Sequence, residues 1–441
     1  MKLLRTLTAS AIMVCVVLLL VVFAGYGSVR KVVEQGRVTV PAEVFEPFGW
    51  QANVRDDPAG PATVLVSGDG WGMRGVTYRA KVAVVGESGV YRMLRYKADV
   101  EAGEDVLLSP DGTAVADALP HPVPAKSGSS TPEPPSSDPA IWVTDLRTGE
   151  SSRLTTPSSG DVRPVAWSPD GKHLLVHVAS APERGPWSGG SLDLLDLATG
   201  GVSRLADLPG VPVRRAQLAA FSPDGRRVVA QVGDELRVID VASRGARTLV
   251  RLGPDRRLAG IGAWSADDSR IAVLTLAGCT KLCTRDALNE RTWQIDEIDA
   301  TTGGPLVARF ERLTGSSVRI LAQLDSGELA VVRYRAGDEL SSDSTGVLRV
   351  DGDEVDETDY RAVDSAELLG LGPGGDRRTL VTLPPGARHV DVAADLVARD
   401  RFDGPSSRPM PWPAPFWVNA LVVLVLLLAI WLALRVRRLA G

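Results

Sequence analysis

The chain is poor in the residues that most often perform chemistry. Of its 441 residues three are cysteine and four are histidine, so soft metal ligands are scarce. His173 and His177 share a strand-like run, and at about 3.3 Å per residue they stand roughly 13 Å apart, too far to chelate one ion. No Gly-x-Ser-x-Gly stretch occurs, and with it goes the nucleophile elbow of an α/β-hydrolase domain. A strong positive balance is missing too: the net charge of -5 speaks against nucleic acid as a partner. Neither a metal nor a cofactor is expected. Cys15 lies inside an apolar run without small residues before it, so it reads as an apolar side chain rather than a lipid attachment point. Cys279 and Cys283, in "GCTKLC", are close enough to form a small local disulfide in an oxidising compartment.

Long apolar runs are present at both ends. "LTASAIMVCVVLLLVVFAGYG" follows Lys2 and Arg5 and carries no charge over about 20 residues, enough to span a bilayer core. "FWVNALVVLVLLLAIWLAL" stops against Arg435, Arg437 and Arg438, with Trp412, Phe416, Trp417 and Trp431 near its two ends, as an aromatic belt requires. The clustered positive charges put both outer flanks in the cytoplasm and the roughly 390 residues between them outside it. The expected organisation is an N-terminal transmembrane anchor at 1–28, a linker at 29–61, a folded domain at 62–404, a Pro-rich linker at 405–415, a C-terminal transmembrane helix at 416–434 and a basic tail at 435–441. A cleaved signal peptide, processed near Ala24 and Gly25, is the alternative for the first run. The expected location is a bacterial cytoplasmic membrane, with the folded domain on its outer side.

Within that domain one phrase returns. "AWSPDGKHLLVHV" from Ala166 is followed by "AFSPDGRRVVAQV" from Ala220 and "AWSADDSRIAVLTL" from Ala263. Further copies start at Leu107, Ala322 and Leu369. Pro presets the first turn dihedral, Asp bonds the local backbone and Gly accepts a positive φ, so the tetrapeptide joins two strands as a tight turn. Two more strand-like runs, bent at Thr-Gly, fill each interval. Four strands per unit at roughly 43 to 60 residues is the pattern of a β-propeller. The fold class expected is all-β, a propeller of six or seven four-stranded blades flanked by the two transmembrane helices. Units start near Val106, Val165, Ala219, Ala263, Ile320 and Leu368. The earlier strand-rich piece from Thr63 to Tyr96 is either a seventh blade or a donor of strands to the last one, since an unclosed ring leaves exposed sheet edges.

The repeated "WSPDG" and "FSPDG", with "DLATG" ending a third strand, resemble the WD-like Pro-Asp repeats of TolB-type propellers. The resemblance covers roughly Leu107 to Leu313 well. It implies an exported propeller that acts by binding, usually to another protein. That family also carries an α/β domain ahead of its propeller and is soluble in the periplasm. Here about 40 residues separate the first apolar run from the first strands, so the family's translocation role is not carried over.

In a four-stranded blade, first-to-second and third-to-fourth turns share one face of the disc. The tight turns all fall there. The long insertions, after Asp117 and from Ala179, Ala277 and Arg335, fall on the other, where recognition tends to reside. The blade-to-blade connections of that loop-rich face carry Arg163, Arg214, Arg215, Arg256 and Arg257, which are the candidate ligand residues if they converge into a positive field. The acidic run "VDGDEVDETD" from Val350 reads as a solvated edge, lacking calcium-loop spacing. Trp167, Phe221 and Trp264 read as packing between blades rather than as stacking platforms. The Ser-Pro-Asp-Gly turns match sialidase Asp-boxes only superficially, because the Trp expected further along is missing. These features favour a non-catalytic binding module for an envelope protein or anionic ligand. The competing readings are a glycan-acting enzyme, which requires facing carboxylates in the channel, and a ligand sensor.

Overall fold

A computed structural model describes residues 38–48, 51–68, 82–94, 105–119, 140–156, 161–179, 189–209, 215–406, 408–409, 424–426, 430–431 and 435. Both apolar runs fall outside them, apart from helical pieces whose Leu424, Val425, Ile430 and Trp431 are exposed. Among the described residues no helix is long and apolar enough to cross a membrane. The two flanking transmembrane helices expected from hydropathy therefore find no support there.

The strands assemble as six four-stranded antiparallel sheets. β1 (Ala62–Gly68), β2 (Val82–Gly86) and β3 (Tyr91–Leu94) supply three strands of blade I. Blade II is β4 (Val106–Leu108), β5 (Ala114–Asp117), β6 (Ala140–Asp145) and β7 (Ser151–Thr155). Blade III is β8 (Val162–Trp167), β9 (His173–Ala179), β10 (Gly190–Asp196) and β11 (Val202–Leu208). Blade IV is β12 (Ala219–Phe221), β13 (Arg227–Val232), β14 (Glu235–Asp240) and β15 (Ala246–Arg251). Blade V is β16 (Arg256–Leu258), β17 (Arg270–Ala277), β18 (Thr292–Asp299) and β19 (Leu313–Thr314), with the short helix α1 (Arg285–Asn289) between its second and third strands. Blade VI opens with β20 (Ser317–Gln323) and β21 (Leu329–Ala336). A small three-stranded insert follows: β22 (Ser341–Ser342), β23 (Leu348–Val350) and β24 (Asp353–Glu354). Blade VI resumes with β25 (Val363–Leu371) and β26 (Arg377–Val381), and β27 (Ala387–Val392) then leads into the helix α2 (Ala394–Ala398).

β27 pairs with β1, giving blade I the order β27-β1-β2-β3. The late strand thus enters the early sheet, and the arrangement is a propeller closed by both ends of the domain. Among the described residues no sheet edge faces an open ring, which is the physical gain of such closure. The strand-rich piece from Thr63 is therefore not a separate seventh blade: it supplies three strands of blade I, which the late strand β27 completes. The unit expected at Leu368 is corrected as well: Gly372 to Asp376 form the third-to-fourth turn of blade VI, between β25 and β26. Its Gly-Pro-Gly-Gly imitates the other turn because both bends need residues that accept positive φ.

The turns themselves follow the sequence. Ser109, Ser168, Ser222 and Ser265 each donate a hydroxyl to the Asp two residues on, at 2.8, 2.7, 2.6 and 2.5 Å. Each of these serines also accepts a backbone N–H five residues on. Gly112 has φ +72°, and a Cβ there would stand 2.0 Å from the Ala62 carbonyl oxygen. Both the turn and the approach of blade I thus demand glycine. Trp167 donates its indole N–H to Leu107 O at 3.3 Å, and Trp264 donates to Ala220 O at 3.2 Å. Each tryptophan bonds the first strand of the preceding blade. One core cluster runs through blades IV, V and VI and includes Trp264, Trp293 and Ile320, so neighbouring sheets share a single apolar interior. Residues 38–48, within the segment read as linker, belong to the folded domain: Val40 and Val44 are buried in a second core cluster with Val64, Val66 and Val390. Val40 N bonds Arg401 O at 2.6 Å and Val44 N bonds Thr382 O at 2.9 Å.

Candidate functional site

The first strand of every blade runs the same way, from the loop-rich face to the tight-turn face, and these strands line the axis. Of the arginines predicted as ligand residues, Arg163, Arg215, Arg256 and Arg257 sit at the starts of these strands or just before them. Arg163 bonds Asp105 at 2.6 Å and Asp161 at 2.8 Å. Burial opposes its charge, but those two carboxylates and Asp359 outweigh it and raise its proton affinity. Arg256 lies 3.9 Å from Asp296. Arg257 is buried. Arg215 opens a short 3-10 turn at 215–217, and Arg214 lies outside the described residues. The structure does not gather Arg163, Arg256 and Arg257 into one solvent-facing cluster; each meets its own carboxylate.

The partner of Arg257 comes from the acidic run. Glu357 is buried between Arg257, 2.6 Å from one oxygen, and Arg291, 3.0 Å from the other. Arg257 also stacks over Trp293 with 4.6 Å to the ring centroid. Three residues on, Tyr360 takes the Arg388 guanidinium onto its carbonyl at 3.1 Å and over its ring at 4.8 Å. Residues 337–362, the connection between β21 and β25, therefore touch first strands or their neighbours in blades V, VI and I and act on Arg163 of blade III. They form a strap across the loop-rich mouth of the channel. The expectation of a solvated acidic edge holds for Asp351 and Asp353, which are exposed, and is corrected for the second half of the run, where Val355, Glu357 and Thr358 are buried. The Cys279–Cys283 pair is bridged, with 5.8 Å between Cα atoms. Cys283, with Leu288 of α1, joins Leu340, Leu348, Val350 and Val355 of the strap in a separate small core.

Below the strap the channel wall is polar. Arg319 of β20, fully buried, donates to Val390 O at 2.7 Å and lies 3.5 Å from His389 Nδ1. Burial, and then the Arg319 charge, hold His389 well below the usual histidine range. His177 is buried on β9, and His173 on the same strand lies 3.7 Å from Asp196.

The tight-turn end is different. Leu107, Leu108, Trp167, Phe221, Ile261 and Leu321 meet Val392 and α2 around a cavity of about 280 Å³. All six blades contribute to it. Pro110, Pro169 and Pro223 of three Ser-Pro-Asp-Gly turns stand around it, which gives part of the wall fixed φ angles. α2 crosses one side, held by Asp395 N to Pro110 O at 3.0 Å and by Asp325 N to Ala398 O at 3.0 Å. Asp391 and Asp395 are the lining residues with ionisable side chains. The Asp391 carboxylate accepts Leu108 N at 2.9 Å and Val392 N at 3.0 Å. Burial raises its proton affinity, opposed by Arg319 and by those two bonds. Trp167 and Phe221, expected to serve packing alone, face this cavity as well, whereas Trp264 is buried in the core. The sequence reading missed Asp391, Asp395 and α2, because "HVDVAADLVARD" carries no copy of the repeat; only a run of apolar and small residues after the last strand hinted at a helix.

No protein-family model and no curated protein matches the sequence. Among solved structures the chain is similar to TolB from Acinetobacter baumannii, at 14% identity and a TM-score of 0.34, covering 68% of this chain and 64% of that one. It is similar to a putative TolB from Agrobacterium tumefaciens, at 16% identity and a TM-score of 0.35, over 75% and 98%. An oligogalacturonate lyase from Vibrio parahaemolyticus aligns at 12% identity and a TM-score of 0.33, over 54% and 71%. The propeller assignment rests on this chain's own sheet order and ring closure.

Proposed function

We propose that the protein is a non-catalytic binding propeller, and that it receives an apolar segment of a partner protein at the tight-turn end of its axis. The observation that carries this reading is the cavity built from all six blades, walled by Trp167, Phe221 and three prolines. A concave, apolar, stiff site with few polar groups suits recognition of a side chain inserted from outside. The loop-rich face, proposed from sequence for an anionic envelope ligand through Arg163, Arg214, Arg215, Arg256 and Arg257, is less favoured, because Arg163 and Arg257 already hold carboxylates of the chain itself. We further propose that the apolar runs at 1–28 and 416–434 tether the domain to the outer side of a cytoplasmic membrane. The partner is then an envelope protein.

Photo-crosslinking tests the face. A benzophenone side chain placed at Pro223 or Ala322, beside the cavity, is expected to give a discrete adduct that Phe221→Asp abolishes. The same probe at Lys281 or Asp338 on the loop-rich face is expected to give none. Adducts from the loop-rich positions only would sink the reading.

A second reading, a propeller enzyme acting on envelope glycans, is favoured by one observation, that Asp391 and Asp395 line one cavity. It requires two carboxyls with free oxygens facing a sugar, and both Asp391 oxygens accept backbone N–H groups. Release of reducing ends from peptidoglycan or teichoic glycans, lost in Asp395→Asn, is the result that would establish it.

A further inference from the structure

Resting on the binding reading above, we infer that the group received in the axial cavity is a small apolar amine: a flat hydrophobic body carrying one positive charge. Three observations combine. First, the cavity holds about 280 Å³, near the low end for pockets that take small molecules, so it admits one bulky side chain or a bicyclic ring rather than a length of backbone. Second, the wall is hydrocarbon from five blades, through Leu107, Leu108, Phe221, Ile261, Leu321 and Val392, and blade III adds Trp167. Trp167 offers a half-buried indole whose N–H is already given to Leu107 O, so its remaining use toward a ligand is its π surface. Third, the charge of the lining has one sign. Asp391 and Asp395 are its ionisable residues, and no Lys, Arg or His side chain is among them.

The two carboxylates hold different positions. Asp391 is 3% exposed, at the floor, locked by its two backbone N–H bonds. Asp395 is exposed, in the first turn of α2 at the rim. An apolar body entering past Asp395 buries its hydrocarbon against the floor and leaves an ammonium at rim height, where a carboxylate attracts it without requiring full burial of either charge. Trp167 and Phe221 add attraction for a cation held near a ring face. A carboxylate on the same body meets like charge instead. The amine can belong to a free small molecule or to the first residue of a polypeptide with an aromatic side chain. Both present the same chemistry.

The test is titration calorimetry on the full chain in detergent, with five probes sharing the indole ring: tryptamine, 3-methylindole, indole-3-acetate and the peptide Trp-Gly-Gly in two forms, with a free and with an acetylated amino terminus. The expected order is tryptamine tightest, 3-methylindole weaker by about 5-fold to 10-fold, and indole-3-acetate without measurable binding. Asp395→Asn is expected to bring tryptamine down to the level of 3-methylindole and leave the latter unchanged. That second comparison separates loss of charge from loss of fold. If free Trp-Gly-Gly binds and its acetylated form does not, the natural source is a polypeptide N-terminus; binding of tryptamine alone assigns a free amine and overturns the partner-protein part of the proposed function while the axial site stands. If 3-methylindole and indole-3-acetate bind as tightly as tryptamine, the charge inference is overturned while the apolar site stands. If no indole binds, or if binding survives Phe221→Asp, the axial site itself falls and with it the proposed function.

Discussion

Asp267 shows how a single residue of the repeat links sequence to stability. Its carboxylate accepts the hydroxyls of Ser265 at 2.5 Å and Ser269 at 2.8 Å, and these bonds, the Ser265 one first, lower its pKa to about 2. The folded state thus holds the proton less tightly than the unfolded chain. The stabilisation is therefore complete above the ordinary value near 3.8 and disappears as pH falls through about 2. Comparing urea midpoints of the wild type and Asp267→Asn from pH 7 downward is expected to show a constant gap, below about 1 kcal/mol for so exposed a group, that closes between about pH 4 and pH 2. A gap that widens with acid contradicts this role. The Ser-x-Asp spacing was legible in the sequence as a turn. In this copy Asp268 stands in the glycine position of the turn, at φ +62°, which Asp tolerates better than most residues.

The strap at 337–362 is the element that sequence reading placed least well. Acidic residues in a run read as solvated, because an isolated segment has nothing else to meet. Glu357 is instead clamped by arginines 100 and 66 residues away in the chain, a pairing no local pattern announces. Removing one member of such a buried set leaves uncompensated charge, so Glu357→Gln is expected to cost about 3–5 kcal/mol. Replacing all three, as Arg257→Met, Arg291→Met and Glu357→Met, is expected to cost far less, since each charge leaves with its partners. Urea unfolding of both variants decides: equal losses would mean that the strap is held by its apolar contacts with the disulfide loop and α1 rather than by Glu357. The arginines themselves were legible as a group on one face. Their sequence positions placed them on one face and left their partners open; of the group, Arg257 pairs with the strap through Glu357, while Arg163 and Arg256 meet carboxylates of the blades.

For the whole molecule the decisive feature is closure. β27 seals blade I, and residues 38–48 lie alongside 401–404 through Val40 N to Arg401 O at 2.6 Å and Ala42 N to Gly404 O at 3.0 Å. The two ends of the described domain therefore meet. A circular permutant that joins residue 409 to residue 38 through a short flexible linker and opens the chain between Leu119 and Ala140 keeps every strand pair described above. It is expected to melt cooperatively within a few degrees of the unpermuted domain. Ending the chain at Arg377 to Val381, before β27, exposes the edge of β1 and is expected to give aggregated protein in size-exclusion chromatography. A soluble, cooperatively melting truncation would show that the ring does not need its closing strand.

The sequence by itself determined the repeating hairpin, the four-strand unit, the face on which each turn falls and the residue types each turn requires, because all of these depend on contacts within a few positions. It also brought Cys279 and Cys283 within reach of each other, four positions apart. Only the tertiary structure decided how many blades close the ring, since β27 and β1 pair across some 320 residues and pairing at that distance leaves no periodic signal. It alone showed Glu357 seated on buried arginines and a cavity assembled from one to three residues of each blade. A site of that kind has no sequence motif: its members share an axis, and the axis exists only after the blades have packed.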